Sequence, residues 1–134
     1  MKTIALLLAL IMPSLAIANE QINWLQENNP SEYFPKDAEY LNIGEACNGV
    51  TCFKLISVSY VTLTSKGMQR VAVFSSSSIY LGVYSGFQEL PLSVSGSQLI
   101  FPDSEFGHII SFNGILPPLV AYIDGEHFEF EPKP

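Results

Sequence analysis

From Cys52 to its last residues, the chain consists of short segments rich in Val, Ile, Thr, Ser, Phe and Tyr, separated by glycines at short intervals. β-Branched and aromatic residues favour strands, and Gly, Ser, Asn and Asp favour the turns between them. Because these intervals leave no room for helical crossover connections, neighbouring strands should pair antiparallel. The pattern predicts an all-β fold, namely an antiparallel β-sandwich or small barrel of about seven to eight short strands.

The predicted strands end in a hairpin whose register can be derived from its turn. A two-residue turn at Asp124-Gly125 sets Tyr122 opposite His127 and Ala121 opposite Phe128. One face of the hairpin is then apolar and the other polar, as expected of a half-buried antiparallel pair. The apolar face carries Leu119, Ala121, Ile123, Phe128 and Phe130, and the polar face carries His127, Glu129 and Glu131. The complete set of predicted strands is 53–64, 68–74, 79–84, 87–94, 98–101, 106–112, 119–123 and 126–131.

Residues 1–18 have the pattern of an export signal. Met1-Lys2 is the positive start, residues 4–12 are apolar, and Ala16-Ile17-Ala18 is a small–x–small cleavage site. The apolar run is too short for a membrane span. We therefore expect a cleaved signal peptide, a mature protein that begins at Asn19, and a periplasmic or secreted location, with a bacterial origin fitting best.

Residues 19–46 differ in composition from the rest, with many acids and the only tryptophan of the chain. Residues 21–26 predict one or two helical turns, which Asn28-Asn29-Pro30 should end. We expect an N-terminal arm with a short helix over 19–46 that wraps an all-β domain over 47–134, the two forming one domain. The expected anchors of the arm are Trp24, Tyr33, Phe34, Tyr40 and Leu41.

Cys47 and Cys52 are the only cysteines. In an oxidising compartment such a close pair predicts one structural disulfide. The chain-entropy model gives such a short loop about 2 kcal/mol of stabilisation. The spacing is not the Cys-x-x-Cys of thioredoxin-like sites, and zinc would need two further ligands close by.

Net charge and motifs limit the classes of function. A net charge of −7 argues against binding to nucleic acid and to anionic lipid. Two explanations of the charge remain, namely a cationic partner or simple solubility. No Gly-x-Ser-x-Gly elbow and no cofactor motif occurs, so we expect neither catalytic residues nor a cofactor. Asp103, Glu105 and His108 are the best candidate metal ligands, but a turn at Pro102-Asp103-Ser104 is favoured over a metal site.

Two tyrosines are candidates for a binding surface. Tyr80 and Tyr84 share one strand face by the period of two, and Phe87 follows close by. Exposed aromatic rings on a rigid sheet can stack on a sugar or anchor a protein partner. The alternative is that these rings belong to the core.

Ser93-Val94-Ser95-Gly96, followed by Phe101 and later by Phe112-Asn113-Gly114, resembles the inhibitory loops of small periplasmic lysozyme inhibitors. The resemblance is confined to these segments. Asn113 stands where that family has a lysine before the final glycine, so the inhibitory function is not transferred from the sequence.

Three hypotheses follow for function. The first is a non-enzymatic exported module, monomeric or weakly homo-oligomeric, that binds a protein or a glycan. The second is a structural or assembly component of the cell envelope that pairs through a strand edge. The third is a small hydrolase whose Asp, Glu and His residues are scattered along the chain.

Overall fold

A computed structural model describes residues 20–61, 67–85, 93–101, 109–123 and 126–134, with the backbone alone at 31, 109, 120–123 and 126–128. The chain divides into two compact units, Met1–Lys36 and Asp37–Pro134. The signal peptide predicted over 1–18 lies outside the described residues.

The described part of the first unit contains helix α1 over 20–28 and a 3-10 turn over Pro30–Glu32. The backbone N–H of Asn29 donates to Leu25 O at 2.7 Å, and Asn29 itself is left-handed, with φ 39°. Pro30 cannot continue the helix because it has no N–H. The Asn29 side chain accepts a hydrogen bond from Phe34 N at 2.6 Å. The predicted short helix is thereby confirmed, and its side chain Leu25 is buried, as is Phe34.

The second unit is built of strands, and the predicted all-β class is confirmed. Its described residues form nine strands: β1 Glu39–Cys47, β2 Cys52–Val61, β3 Gly67–Ser75, β4 Tyr80–Ser85, β5 Ser93–Ser95, β6 Gln98–Ile100, β7 Ile109–Ser111, β8 Val120–Ile123 and β9 Glu126–Pro132.

The strands form two antiparallel sheets that share one hydrophobic core. The larger sheet has six strands in the order β1-β2-β3-β4-β9-β8, and the smaller has three in the order β5-β6-β7. Phe53, Tyr84 and Phe130 enter the core from the larger sheet, and Leu99 and Ile110 from the smaller. The choice between sandwich and barrel stays a prediction.

Strand β1 was not predicted, because its residues were assigned to the arm. It pairs with β2 from Glu39 opposite Ser59 to Cys47 opposite Cys52. Its Glu, Asn and Gly residues have low strand propensity, which pairing with a hydrophobic neighbouring strand overrides. Leu41 is 59% exposed, so it is not the anchor that we expected. The wrapping of the domain by the arm stays a prediction.

The prediction that Tyr80 and Tyr84 share one strand face is wrong, because a β-bulge lies between them. Tyr80 pairs with Phe74 and Gly82 with Val73, which leaves one extra residue in β4. An extra residue shifts the alternation of side chains to the other face. The Tyr80 ring meets Phe74 edge-on at 5.6 Å, whereas Tyr84 belongs to the core that the two sheets share.

The register of the last hairpin is confirmed. Tyr122 pairs with His127 and Ala121 with Phe128, as the turn predicts. Phe130 is buried, and the carboxylates of Glu129 and Glu131 are exposed. Leu119 precedes β8 and is exposed, so the apolar face does not extend to it.

Candidate functional site

Three loops that are distant in sequence meet in the second unit. They are the β1–β2 connection (48–51), the β5–β6 turn (96–97) and the segment that follows β7 (112–116), and together they are called the loop cluster. Hydrogen bonds join the first and the second loop to the third. The cluster is therefore a single surface built from three separate parts of the chain.

The β1–β2 connection is closed by the predicted disulfide. Cys47 and Cys52 are directly opposite each other at the end of the hairpin, with Cα atoms 4.1 Å apart and sulfur atoms at bonding distance. Inside this loop the Asn48 side-chain oxygen accepts from Val50 N at 3.0 Å and Thr51 N at 2.9 Å. Such an Asx turn fixes the backbone of the connection.

The same side chain links the connection to the third loop. Asn48 Nδ2 donates to Phe112 O at 2.9 Å and to Gly114 O at 2.8 Å. Both amide hydrogens and the amide oxygen of Asn48 are thus used. Sequence reasoning missed this role; the signal present was an Asn-Gly pair directly after Cys47, which is typical of a turn but does not reveal a distant partner.

The β5–β6 turn supports the other two loops. Gly96 O accepts from Cys47 N at 2.9 Å, and Ser97 O accepts from Phe112 N at 2.8 Å. Ser97 Oγ also donates to Asn113 Oδ1 at 3.4 Å. The buried ring of Phe112 packs on Phe53, with centroids 5.4 Å apart, and so connects the cluster to the core.

The cluster presents aliphatic side chains to solvent. Val50 is 81% exposed, Ile115 70% and Leu116 69%. Just beyond them Pro117 is buried, and Pro118 O accepts a hydrogen bond from Tyr84 Oη at 2.5 Å. Exposed apolar side chains on a backbone held by hydrogen bonds are suited to protein binding.

One group of potential metal ligands lies beside the cluster. A carboxylate oxygen of Glu45 and the sulfur atoms of Cys47 and Cys52 all lie within 4.8 Å of one another. Because both sulfurs belong to the disulfide, neither is a thiolate, which is the form that binds metals. In the oxidised chain, the exposed Glu45 carboxylate is therefore the one member of this group that could bind a metal ion.

Burial raises the pKa of two tyrosines of the second unit. Burial raises the pKa of Tyr84 far above its ordinary value. Burial, with a further contribution from the negative charge of Asp37 and from Tyr60, raises the pKa of Tyr40 to about 12. Arg70 Nη1 donates to Tyr60 Oη, and its guanidinium carbon lies 5.2 Å from the centroid of that ring.

The candidate residues from sequence do not coincide with the loop cluster. Tyr80 and Tyr84 are buried, so neither ring offers an exposed face for binding. Both rings agree with the alternative interpretation, in which they belong to the core. Phe87 and the candidate metal ligands Asp103, Glu105 and His108 lie outside the described residues.

No protein-family model, curated protein or solved structure matches this chain. Among the described residues, no helix combines the length and the apolar composition needed to cross a membrane. Ser97, the residue directly after the segment Ser93-Val94-Ser95-Gly96, bonds to Phe112 and Asn113, so the two segments that resemble lysozyme inhibitors lie close together.

Proposed function

We propose that this chain is an exported, non-enzymatic module that binds a protein partner through the loop cluster. The observation that carries the proposal is the exposure of Val50, Ile115 and Leu116 on loops that the disulfide and Asn48 hold in place. A surface that is ordered before binding loses little conformational entropy when a partner docks.

A protein partner is favoured over a glycan. Sugar binding usually relies on exposed aromatic rings, and the exposed large side chains of the cluster are aliphatic. The ring of Phe112, the first residue of the third loop, is buried. Aliphatic side chains fit an apolar pocket on a protein surface.

The partner should be cationic. The chain carries a net charge of −7, which accelerates association with a positively charged protein. The resemblance to lysozyme inhibitors, together with the adjacency of its two segments, makes a lysozyme the first partner to test. The missing lysine at Asn113 means that binding would have to rely on the aliphatic side chains.

Export is part of the proposal. The apolar leader with its small–x–small site supports secretion, and the disulfide is consistent with an oxidising compartment. Mass spectrometry of the product recovered from periplasm or medium tests this directly. It should show a mature chain that begins at Asn19, whereas uncleaved precursor confined to the cytosol would contradict export.

The binding surface is tested with matched variants. We expect the double variant Ile115→Ser, Leu116→Ser to bind a lysozyme about tenfold or more weakly than the parent protein, because apolar anchors dominate interface energies. Leu41→Ser is the control, since Leu41 is comparably exposed but lies in β1. Calorimetric titration and inhibition of cell-wall lysis measure the effect.

Two results would count against this assignment. Equal weakening by the control would remove the loop cluster as the binding surface. No binding of any lysozyme, combined with concentration-dependent oligomers in light scattering, would favour the envelope-assembly hypothesis instead.

A further inference from the structure

The loop cluster contains two Asn-Gly pairs, Asn48-Gly49 and Asn113-Gly114. In such a pair the glycine nitrogen can attack the side-chain carbonyl carbon of the asparagine, since no Cβ shields it. The two pairs lie in different loops, yet Asn48 bonds to Gly114 O at 2.8 Å. Both pairs therefore experience the same pH and buffer in one sample. They differ in how firmly the asparagine side chain is held.

The Asn48 side chain is fixed by four hydrogen bonds. Its oxygen accepts from Val50 N and Thr51 N, and its nitrogen donates to Phe112 O and Gly114 O, all at 2.8 to 3.0 Å. Attack by Gly49 N requires the side chain to turn, and turning would break these bonds. Because the reactive rotamer loses all four hydrogen bonds at once, it is rarely formed.

The Asn113 side chain is held much more loosely. It is exposed, and its one hydrogen bond among the described residues comes from Ser97 Oγ at 3.4 Å. Gly114 is exposed as well, and a Cβ added there would meet nothing closer than 3.7 Å. The exposed Asn113 side chain can therefore turn towards Gly114 N, while Gly114 itself is held at its carbonyl oxygen by Asn48.

We propose that Asn113 is a site of spontaneous, selective deamidation. The bond that forms joins Gly114 N to Asn113 Cγ, and the bond that breaks releases the side-chain nitrogen as ammonia, leaving a cyclic imide. Water then opens the imide at either carbonyl and gives aspartate or isoaspartate. The sequence of steps consumes one water, releases one ammonia, and needs no oxidant, reductant or enzyme.

The modification changes the surface that we assign to partner binding. It adds a negative charge beside Ile115 and Leu116, and isoaspartate also lengthens the backbone that positions Gly114 O for Asn48. Ageing should therefore weaken partner binding, and this consequence, unlike the chemistry itself, rests on the proposed function.

The test is prolonged incubation of the oxidised protein in mildly alkaline buffer, followed by peptide mapping. We expect a gain of about one dalton and an isoaspartate signal in the Asn113 peptide, several-fold faster than in the Asn48 peptide of the same sample. Gly114→Ala should slow the reaction strongly, because the new Cβ shields the attacking nitrogen. The variant should keep its fold, since that Cβ would meet no atom closer than 3.7 Å. In denaturant the two peptides should react at similar rates.

Equal rates for the two peptides in the folded protein would overturn the proposal, as would an Asn113 peptide that remains intact while the denatured control reacts. The binding consequence is tested separately with Asn113→Asp. If the peptide deamidates but Asn113→Asp binds a lysozyme as tightly as the parent, the modification site stands and its placement on the binding surface fails.

Discussion

Gly82 lies directly against the ring of Phe130. A Cβ added to Gly82 would be 2.4 Å from Phe130 Cζ and equally close to the carbonyl oxygen of Glu131. Gly82 has φ +154° and follows the extra residue of the β4 bulge. The bulge therefore brings the backbone of β4 close enough to β9 that only glycine fits, and Phe130 can then reach the core and stack on Tyr84 at 4.9 Å.

We expect Gly82→Ala to lower the free energy of unfolding by about 3 kcal/mol or more, because both the β9 backbone and the Phe130 ring would have to move. Gly67→Ala is the matched control, since Gly67 also lies in a strand and nothing approaches a Cβ there within 4 Å. Urea unfolding of both variants gives the comparison. Similar midpoints for the two variants would contradict the close approach.

Asn48 should stabilise the loop cluster through its donors and its acceptor in similar measure. Asn48→Ala should lower the free energy of unfolding by about 2 kcal/mol, and Asn48→Asp by about 1 kcal/mol. Aspartate keeps the acceptor for Val50 N and Thr51 N but loses both donors. Asn42→Ala removes an exposed bond to Gly44 N and should cost less than either. Chemical unfolding measures all three, and an unaffected Asn48→Asp would show that the donors contribute nothing.

The hydroxyl and the ring of Tyr84 should make separate contributions to the free energy of unfolding. Tyr84→Phe removes the hydrogen bond to Pro118 O and keeps the rings of Phe112 and Phe130 in contact, so we expect a loss of about 1 kcal/mol. Tyr84→Ala also empties the ring site and should cost about 3–5 kcal/mol. Thermal and urea unfolding separate the two effects, and equal losses would assign the whole contribution to the hydroxyl.

Alkaline pH should destabilise the fold through its buried tyrosines. Tyrosines in the unfolded chain ionise near pH 10, whereas burial and Asp37 raise the pKa of Tyr40 to about 12 and burial raises the pKa of Tyr84 further. Above pH ~10 the unfolded chain therefore releases protons that the folded chain retains, and the free energy of unfolding falls as pH rises.

Urea midpoints across this range, with tyrosinate absorbance, provide the measurement. Stability should be constant below pH ~10 with respect to these groups and should decline as pH approaches 12. Tyr40→Phe should reduce the decline, since one of the displaced titrations is removed. A flat stability profile through pH 12 would contradict the role given to burial.

The sequence predicted those features that depend on local pattern. The β-rich segments and the pairing of Tyr122 with His127 both follow from strand propensity and turn geometry. Strand β1 was missed because Glu39, Asn42 and Gly44 have a weak preference for strands. They adopt the strand conformation because β1 pairs with β2. Strand β4, with the sequence YLGVYS, has no alternation of polar and apolar residues in which the shift caused by the bulge could be seen. The burial of Tyr80 and Tyr84 in different environments could therefore not be anticipated.

The loop cluster was even less accessible to sequence reasoning. The spacing of Cys47 and Cys52 predicted the disulfide correctly. The bonds from Asn48 to Phe112 and Gly114, however, join parts of the chain whose proximity depends on the arrangement of both sheets. The resemblance singled out two of the three loops, but only the fold brings them together.

The position of the Cys47–Cys52 bond affects how recombinant material should be judged. It closes a small loop at the tip of a hairpin, whereas the apolar interior is formed by residues of both sheets. Protein produced in a reducing cytoplasm should consequently pass circular dichroism and size-exclusion checks, although the loop that we propose for partner binding is held less firmly. Quality control for any interaction assay should therefore quantify free thiols, because spectroscopic evidence of a folded chain does not report on this bond.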